Sequence, residues 1–550
     1  MTFTENDLIE IIRLSEQEEL SSRKIAKIMG CGKSSINYFL TKATHLEFWA
    51  SQDTKRTVGG KVIDSIVNRG HINEVTSKKV FILTSAQNNT HIHSKFWASL
   101  QECARHRNAE IIVGTYKYNM NGFQNNKDED IWYDPKIRGN IIDKPIILAD
   151  GLIWCGELNV LPTAVNPISG LNNYTGKDSC VIPHAKVQLE SVPSAKHAET
   201  KMIYTTGSVT QSNYIQMKAG QKGAHNHIYG ALLVEVDTDG TWFARQLIAD
   251  SKSGEFYDLD HYYEPNITRY SQSILAINWG DIHIEKMEDH VGRCSFGVGL
   301  LGEDKLPYKT NDENMLDELK PKYSFFNDVI DFKVRNHHNR KDPLFKIKMH
   351  IDKTEEVDFG LKQVGALLLH SHRDFCQQVI VNSNHDAALK KWAVECSWSE
   401  DPPNAEFILD CQLNLVRAVK AKDKEFCLFE YMCKTLTDGV NAAKFLKLDE
   451  SFVIGGENGI ECGYHGHTGS NGARGSVQSY RTAGVRYNIG HSHSAGIKDG
   501  VYVAGVTASM DLGYNVGLSS WSQSHIVTYD NNKRAMVTIK NGKFRVALYD

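Results

Sequence analysis

Apolar positions in the first fifty residues recur at helical spacing, with Leu8, Ile11 and Ile12 followed by Ile25, Ile28 and Met29. That interval places side chains on one face of a helix. Residues 50–78 lose the pattern; they are polar, contain Gly59-Gly60 and read as a linker. From Lys78 the periodicity changes again. VFILTSA reads as a short buried-type strand, SKFWASLQECARH as a helix and AEIIVGTY as a second strand, and PIILADGLIWCG, KMIYTTG and ALLVEVDTDGTWFARQL add strands between turn residues. This mixture predicts an α/β or α+β domain running to about 265. ILAINWGD at 274–281 opens a further unit, which continues through a helix near 356–374, the strand QQVIVNS and a long helical stretch across 404–445. A Gly-rich run over 455–476 and short strands follow, and no internal repeat is visible.

The pattern divides the chain into a helical front over 1–48, a linker over 49–77, an accessory α/β domain over 78–268 and a last α/β unit with a helical insertion over 269–550. A chain of 550 residues exceeds what one ordinary core organises, in line with several domains. The formal net charge of −4 provides no global basic field, so contact with nucleic acid must come from local patches. Apolar runs are no longer than fragments such as Gly365–Leu369, and MTFTENDLIEII lacks a basic-then-apolar leader, so the expectation is a cytoplasmic protein without membrane contact. The 11 cysteines form no Cys-x-x-Cys pair, which favours buried free thiols over a disulfide framework or zinc ribbon.

Residues 21–40, SSRKIAKIMGCGKSSINYFL, have compact helix-turn-helix spacing. Ala26 is small enough for two helices to approach closely, Gly30 supplies the turn, Ile36 anchors the second helix on the first, and Ser22 is the expected N-cap. Between Leu20 and His45 the charged residues are Arg23, Lys24, Lys27, Lys33 and Lys42, with no acid among them. A basic second helix with Lys33, Ser34, Ser35 and Asn37 at its front is what docking into a DNA groove requires. A helical pair used for packing or homo-oligomer assembly is the other reading.

Dinuclear phosphoester hydrolysis needs hard oxygen and imidazole ligands delivered from several strand ends to one cleft, with a carboxylate bridging the two metals. Five short clusters of such residues occur in order, most of them after an apolar strand. SILAINWGDIH ends in Asp281-x-His283, and YSFFNDVID places Asp328 and Asp331 after an aromatic run. QQVIVNSNHD ends in Asn384-His385-Asp386, GIECGYHGH offers His465 and His467, and RYNIGHSH closes with His491 and His493.

This series resembles the calcineurin-like metallophosphoesterase superfamily, whose motifs run D-x-H, G-D-x-x-D, G-N-H-[DE], a lone His and G-H-x-H. Each motif alone is weak, whereas five in order are specific. Asn327 and Ser383 stand where the family usually has Gly, both at turn positions that accept them. The resemblance implies that Asp281, His283 and His493 hold one divalent ion, that Asn384, His465 and His491 hold a second, and that Asp328 bridges them, with Mn2+ favoured over Mg2+ or others. It further implies that His385 faces the scissile phosphate, with Asp386 orienting it and Asp331 in support. His-Gly-His spacing alone cannot choose between His465 and His467; His465 better suits the lone ligand, and His467 could instead touch substrate.

Other histidine pairs are open to plainer readings. His370 and His372 fall in a predicted helix on different faces, and His225/His227 sit in a Gly-flanked turn. His91/His93, after VFILTSAQNNT, imitate the first motif without its carboxylate. His337, His338 and Arg335, beside Arg340, are candidates for substrate contact. Overall, the plan resembles a first-step-transfer (pre-early) protein of a tailed bacteriophage, which implies a DNase of low sequence specificity that destroys host DNA. The rivals are a regulatory phosphoprotein phosphatase or cyclic-nucleotide phosphodiesterase, and a DNA-binding regulator with an inactive phosphoesterase fold.

Overall fold

The computed structural model describes residues 11, 14, 21–32, 36, 79–118 and 131–546, apart from 301, 303, 305, 337, 338 and 341. The chain forms two compact units, Met1–His71 and Ile72–Asp550. In the first unit Ile11, Leu14, Ile25, Ala26 and Ile36 pack into one small core, the contact that the helix-turn-helix spacing anticipates. A helix spans Ser22–Ile28, and its N-cap is Ser21 rather than the expected Ser22. It ends where Cys31 N–H bonds back to Ala26 O at 2.9 Å, with Gly30 at φ 62°, a left-handed turn that glycine adopts without strain. Arg23, Lys24 and Lys27 are exposed on this helix. Lys33, Ser34, Ser35 and Asn37, and the 49–77 linker, lie outside the described residues.

The second unit is mixed α/β. Its first half contains β1 (Lys79–Gln87), β2 (Glu110–Tyr116), β3 (Pro145–Ala149), β4 (Leu152–Cys155), β5 (Ser179–Ile182), β6 (Leu189–Val192), β7 (Lys201–Thr205), β8 (Gly230–Val236) and β9 (Trp242–Ile248). A small sheet of β10 (Phe256–Asp258), β11 (His261–Glu264) and β12 (Ile267–Tyr270) follows. The second half adds β13 (Ile274–Asn278), the short pair β14 (Val298–Gly299) and β15 (Tyr308–Lys309), then β16 (Tyr323–Asn327), β17 (Gln377–Val381) and β18 (Lys444–Phe445). It finishes with β19 (Val453–Ile454), β20 (Ile460–Glu461), β21 (Arg486–Ile489), β22 (Gly496–Lys498), β23 (Val501–Val503), β24 (Ser524–Tyr529) and β25 (Arg534–Thr538). The helical stretch expected across 404–445 is broken into Ala405–Ala421 and Leu428–Leu436, and the helix expected near 356–374 spans Val357–His370 and leaves His372 outside it.

Strand order exposes a plan that the sequence hides. One sheet of ten strands runs β19-β20-β21-β23-β22-β6-β7-β5-β4-β3, and it reads the same from both ends. A hairpin comes first on each side, then a strand parallel to it, then two strands placed out of chain order. The registers agree as well. Tyr204 pairs with Val181 and with Leu189, just as Tyr502 pairs with Asn488 and with Ile497. Leu189 and Ile497 therefore hold equivalent places, and they pair antiparallel with each other. A pseudo-twofold axis passes through that pair.

The second layer follows the same rule. A four-stranded sheet, β2-β1-β8-β9, and a six-stranded sheet, β18-β17-β16-β13-β24-β25, each place a first strand between a parallel neighbour and an antiparallel hairpin. Their edges come together where Met536 N–H donates to Gln246 Oε1 at 2.8 Å, joining β25 to β9. A shared core including Leu83, Trp154, Leu232, Tyr204, Tyr502 and Ile526 fills the space between the layers. The expectation of no internal repeat is corrected: the halves repeat a topology with little shared side-chain identity. The ten-stranded sheet crosses the boundary expected at 268/269, and both halves fall within the compact unit Ile72–Asp550.

Candidate metal centre

Every clustered motif residue follows a strand of the second half and converges at one end of the sandwich. Asp281 and His283 follow β13, Asp328 follows β16, Asn384 and His385 follow β17, His465 follows β20, and His491 and His493 follow β21. Glycine makes the convergence close. A Cβ at Gly490 would lie 2.3 Å from Asp281 Oδ1, so only glycine lets the next residue come near enough for His491 N–H to reach both Asp281 oxygens at 3.0 Å.

Asp281, His283, Asp328 and His493 place one donor atom each within 4.8 Å of one another, and all four are buried. His493 Nε2 is 2.9 Å from Asp281 Oδ2, His283 Nε2 is 3.2 Å from His493 Nε2, and His283 Nε2 is 3.6 Å from Asp328 Oδ2. His465 Nε2 lies 3.7 Å from Asp328 Oδ2 and 3.8 Å from Asp281 Oδ2, and the His465 and His491 rings are 5.3 Å apart. A further group joins His283, Asp331 and His385. His385 Nδ1 donates to the Asp331 carbonyl at 2.8 Å, while its Nε2 points toward Asp328 Oδ2 at 3.9 Å.

Two features distinguish this cluster from a satisfied polar core. His283 Nδ1, Asp328 Oδ1, Asp331 Oδ1, Asn384 Oδ1 and His465 Nε2 are buried without a hydrogen-bond partner, and native interiors rarely leave such groups unpaired. The backbone is also strained: His283, Asp328, His491 and His493 have φ of 41°, 46°, 69° and 59°. Each left-handed non-glycine residue costs about 1–2 kcal/mol, and such strain concentrates at functional sites. The electrostatics agree. Burial drives His283 well below the usual imidazole range, His465 to about 3 and His491 to about 4, so their lone pairs are free. Burial would raise Asp281, but His465, His493 and His283 outweigh it and hold the carboxyl well below its usual range. Burial, reinforced by Asp281 and opposed by His385, pushes Asp328 up to about 6. Neutral imidazoles, carboxylates and an amide oxygen aimed at one another form a donor set suited to a hard or borderline divalent cation.

Among known proteins, the chain is similar to "Protein A1" of Escherichia phage T5. The two are 40% identical over 503 residues, covering 90% of this chain and 87% of that protein. The chain belongs to this phage protein family. No protein-family model and no solved structure matches this A1-family chain.

Several expected site residues sit elsewhere. Arg335 is buried and makes a bidentate ion pair with Asp401 at 2.5 and 2.6 Å, so it is corrected from a substrate contact to a structural residue. Arg340 pairs with Glu395 at 2.5 Å. His337 and His338 lie outside the described residues. Asp386 is buried at the start of the helix Asp386–Glu395, but the hydrogen bond orienting His385 comes from the Asp331 carbonyl instead, because the helix turns the Asp386 side chain into the protein. His467 is half-buried beside His465, with ring centroids 5.5 Å apart and its Nδ1 unpartnered, while His465 is the one aimed at Asp281 and Asp328. His91 and His93 are structural: His91 pairs with Asp134, and His93 caps the helix Ser94–Arg107.

Three residues had no sequence signal. The Glu285 carboxylate accepts the N–H groups of Asp331 and Lys333 at 2.7 and 3.3 Å, fixing the loop that carries Asp331, and burial pushes it up to about 7. Trp521 stands edge-on to His493 with ring centroids 4.4 Å apart. Burial, then the charges of Asp331, Asp328 and Asp281, raise the Tyr514 hydroxyl well above its usual range. Among the described residues, no helix is long and apolar enough to cross a membrane.

Proposed function

We propose that this chain is a calcineurin-like metal-dependent phosphodiesterase acting as a DNase of low sequence specificity. The observation that carries the reading is the buried convergence of Asp281, His283, Asp328 and His493, with His465 also facing Asp328 and Asp281 and His491 beside His465. In this reading Asp281, His283 and His493 hold one divalent ion, Asn384, His465 and His491 hold another, and Asp328 lies between the two sets, with Mn2+ the favoured metal. Such ions polarise phosphoryl oxygens and lower the pKa of bound water.

The protein's own contribution centres on His385. Burial opposes its charge, but Asp328 and the Asp331 carbonyl outweigh that and raise it to about 9. The Nδ1 proton is committed to the Asp331 carbonyl, so the Nε2 proton is the one available to the leaving oxygen of a phosphodiester. Asp386, buried beside it, is itself pushed well above the usual carboxyl range by burial.

DNA is favoured as substrate by membership of a phage family and by the exposed Arg23, Lys24 and Lys27 of the front helix, which suit phosphate contacts. Cytoplasmic degradation of host DNA, by a homo-oligomer, accords with that setting. Plasmid DNA, a phosphoprotein and a cyclic nucleotide are each incubated with the protein and manganese, with a chelator control. DNA of any sequence should be degraded, more slowly as salt rises, and chelator should stop it. Hydrolysis of the phosphoprotein or cyclic nucleotide with DNA untouched would replace this reading by the regulatory one.

A further inference from the structure

The pseudo-twofold axis assigns a counterpart in the first half to residues of the metal centre. Asp281 bridges Val506 in the second half and Ser85 bridges Ser208 in the first. Register from β13 to β16 and from β1 to β2 then places Gly114 opposite Asp328, and register from β21 and β5 places His184 opposite His491 and Lys186 opposite His493. The first half thus lacks both carboxylates and the last imidazole at these places. Its cleft is also filled, since a Cβ on Gly114 would lie 2.4 Å from Pro183 Cβ and 2.7 Å from Trp154 Cζ2. His184 survives as a core residue, with Nδ1 accepting from Lys186 N–H at 2.9 Å and Nε2 facing Leu161 O at 3.1 Å.

A half with no ligands still touches the centre indirectly. The connection from β23 to β24 roofs the metal centre and carries Tyr514 and Trp521. The second half holds it at several points, where Lys286 Nζ donates to Leu512 O at 2.7 Å, and Ser520 bonds to Ser494 at 2.7 Å. Further anchors come from both halves. In the second, Ser509 N–H donates to the Lys286 carbonyl at 2.9 Å, Ser522 N–H to the His493 carbonyl at 3.3 Å and Gln523 Nε2 to Glu288 Oε2 at 3.2 Å. The first half adds its own set. Ser194 and Ser519 exchange two backbone hydrogen bonds of 2.8 Å, Thr200 Oγ1 donates to the Trp521 carbonyl, and Lys196 pairs with Asp511 at 2.9 Å.

We propose that residues 79–268 are a second, metal-free copy of the fold of the second half, and that their segment from Ser194 to Thr200 positions the roof so that Trp521 restrains the His493 ring. These are positioning residues; none touches the centre itself. The part of the proposal that concerns metal rests on the phosphoesterase reading, whereas the clamp on the roof does not.

The test uses the full chain carrying Lys196→Ala together with Thr200→Val, which removes both side-chain anchors and leaves the backbone pair. Hydrogen exchange over 509–522 and manganese binding by electron paramagnetic resonance are measured, with Lys543→Ala as control, because it breaks the Lys543–Asp237 contact of 2.8 Å between the halves away from the roof. The double variant should exchange about tenfold faster in the roof and bind manganese about tenfold more weakly at one site, the usual scale when support behind a ligand is lost. The control should match wild type in both. Unchanged roof exchange, or exchange raised equally throughout 79–268, would overturn the clamp. Faster roof exchange with unchanged manganese affinity would overturn the link to His493. If the wild-type chain binds no manganese, the phosphoesterase reading fails and the exchange result alone decides the clamp.

Discussion

The two halves of the sandwich follow one strand plan and differ in what stands at the strand ends. After β13 and β16 come Asp281 and Asp328; at the same places on β1 and β2 stand Ser85 and Gly114. Where His493 closes the centre, Lys186 reaches the Val165 carbonyl at 2.7 Å and pairs with Asp499 across the axis. The leading strands of both halves are apolar runs, with β8, β13 and β24 buried on both faces. A fold of this kind supplies a set of positions, and a few side chains at those positions decide whether the end of the sheet is a binding site or more core.

The sharpest way to test that contrast is to remove the carboxylate that only one half possesses. Asp328→Asn keeps the shape and deletes the charge between the two ligand sets, so hydrolysis should be lost with the fold retained. A folded variant with wild-type turnover at saturating manganese would show that Asp328 is not the bridge. His385→Ala should cost roughly 10²–10⁴ in rate, the worth of a positioned proton donor, with metal content almost unchanged. Purification of this variant without metal would make His385 a ligand.

The reverse experiment restores a carboxylate where the first half lacks one. Gly114→Asp should bind no metal and should destabilise the chain by about 1–3 kcal/mol, the cost of forcing atoms into a packed core, read from denaturant unfolding. Wild-type stability would show that the first cleft is less filled than Pro183 and Trp154 make it. The smallest effect is one of pH. Burial lowers His184 to about 4, against about 6.5 in an unfolded chain. The unfolded state therefore takes up this proton first, so stability falls as pH drops from about 6.5 to 4, at about 1.4 kcal/mol per pKa unit. His184→Asn, which keeps an acceptor near the Nδ1 position, should flatten that fall. An unchanged slope would place the acid sensitivity elsewhere.

The centre was legible in the sequence because its chemistry and its geometry share a signature: each ligand cluster ends or closely follows an apolar run, and the order of clusters survives folding. Asp281, His283, Asp328 and His493 come together as their motifs implied. The repeated plan was not legible, because buried strands such as VFILTSA and ILAIN satisfy the same burial with different residues, and the polar positions that would have revealed the repeat are the ones that changed. Arg335 was misread for a related reason. A basic residue near a phosphoesterase motif suggests phosphate, but its partner Asp401 is 66 residues away and only the folded chain brings it close. Glu285, Tyr514 and Trp521 belong to no spacing motif and were found only through their neighbours.

The strand pair on the axis also governs when the candidate centre can assemble. Ser191 bonds to the Ala495 carbonyl across a separation of 304 residues, and the sheet holding both halves cannot close until residues beyond 500 have left the ribosome. Loop closure over such a distance is slow, and the first half must wait meanwhile with its sheet edge open and prone to misassembly. A nascent chain thus carries His283 and Asp328 long before it can assemble them with His493. Assembly of the centre is withheld until synthesis through the sandwich is finished, a delay imposed by topology alone.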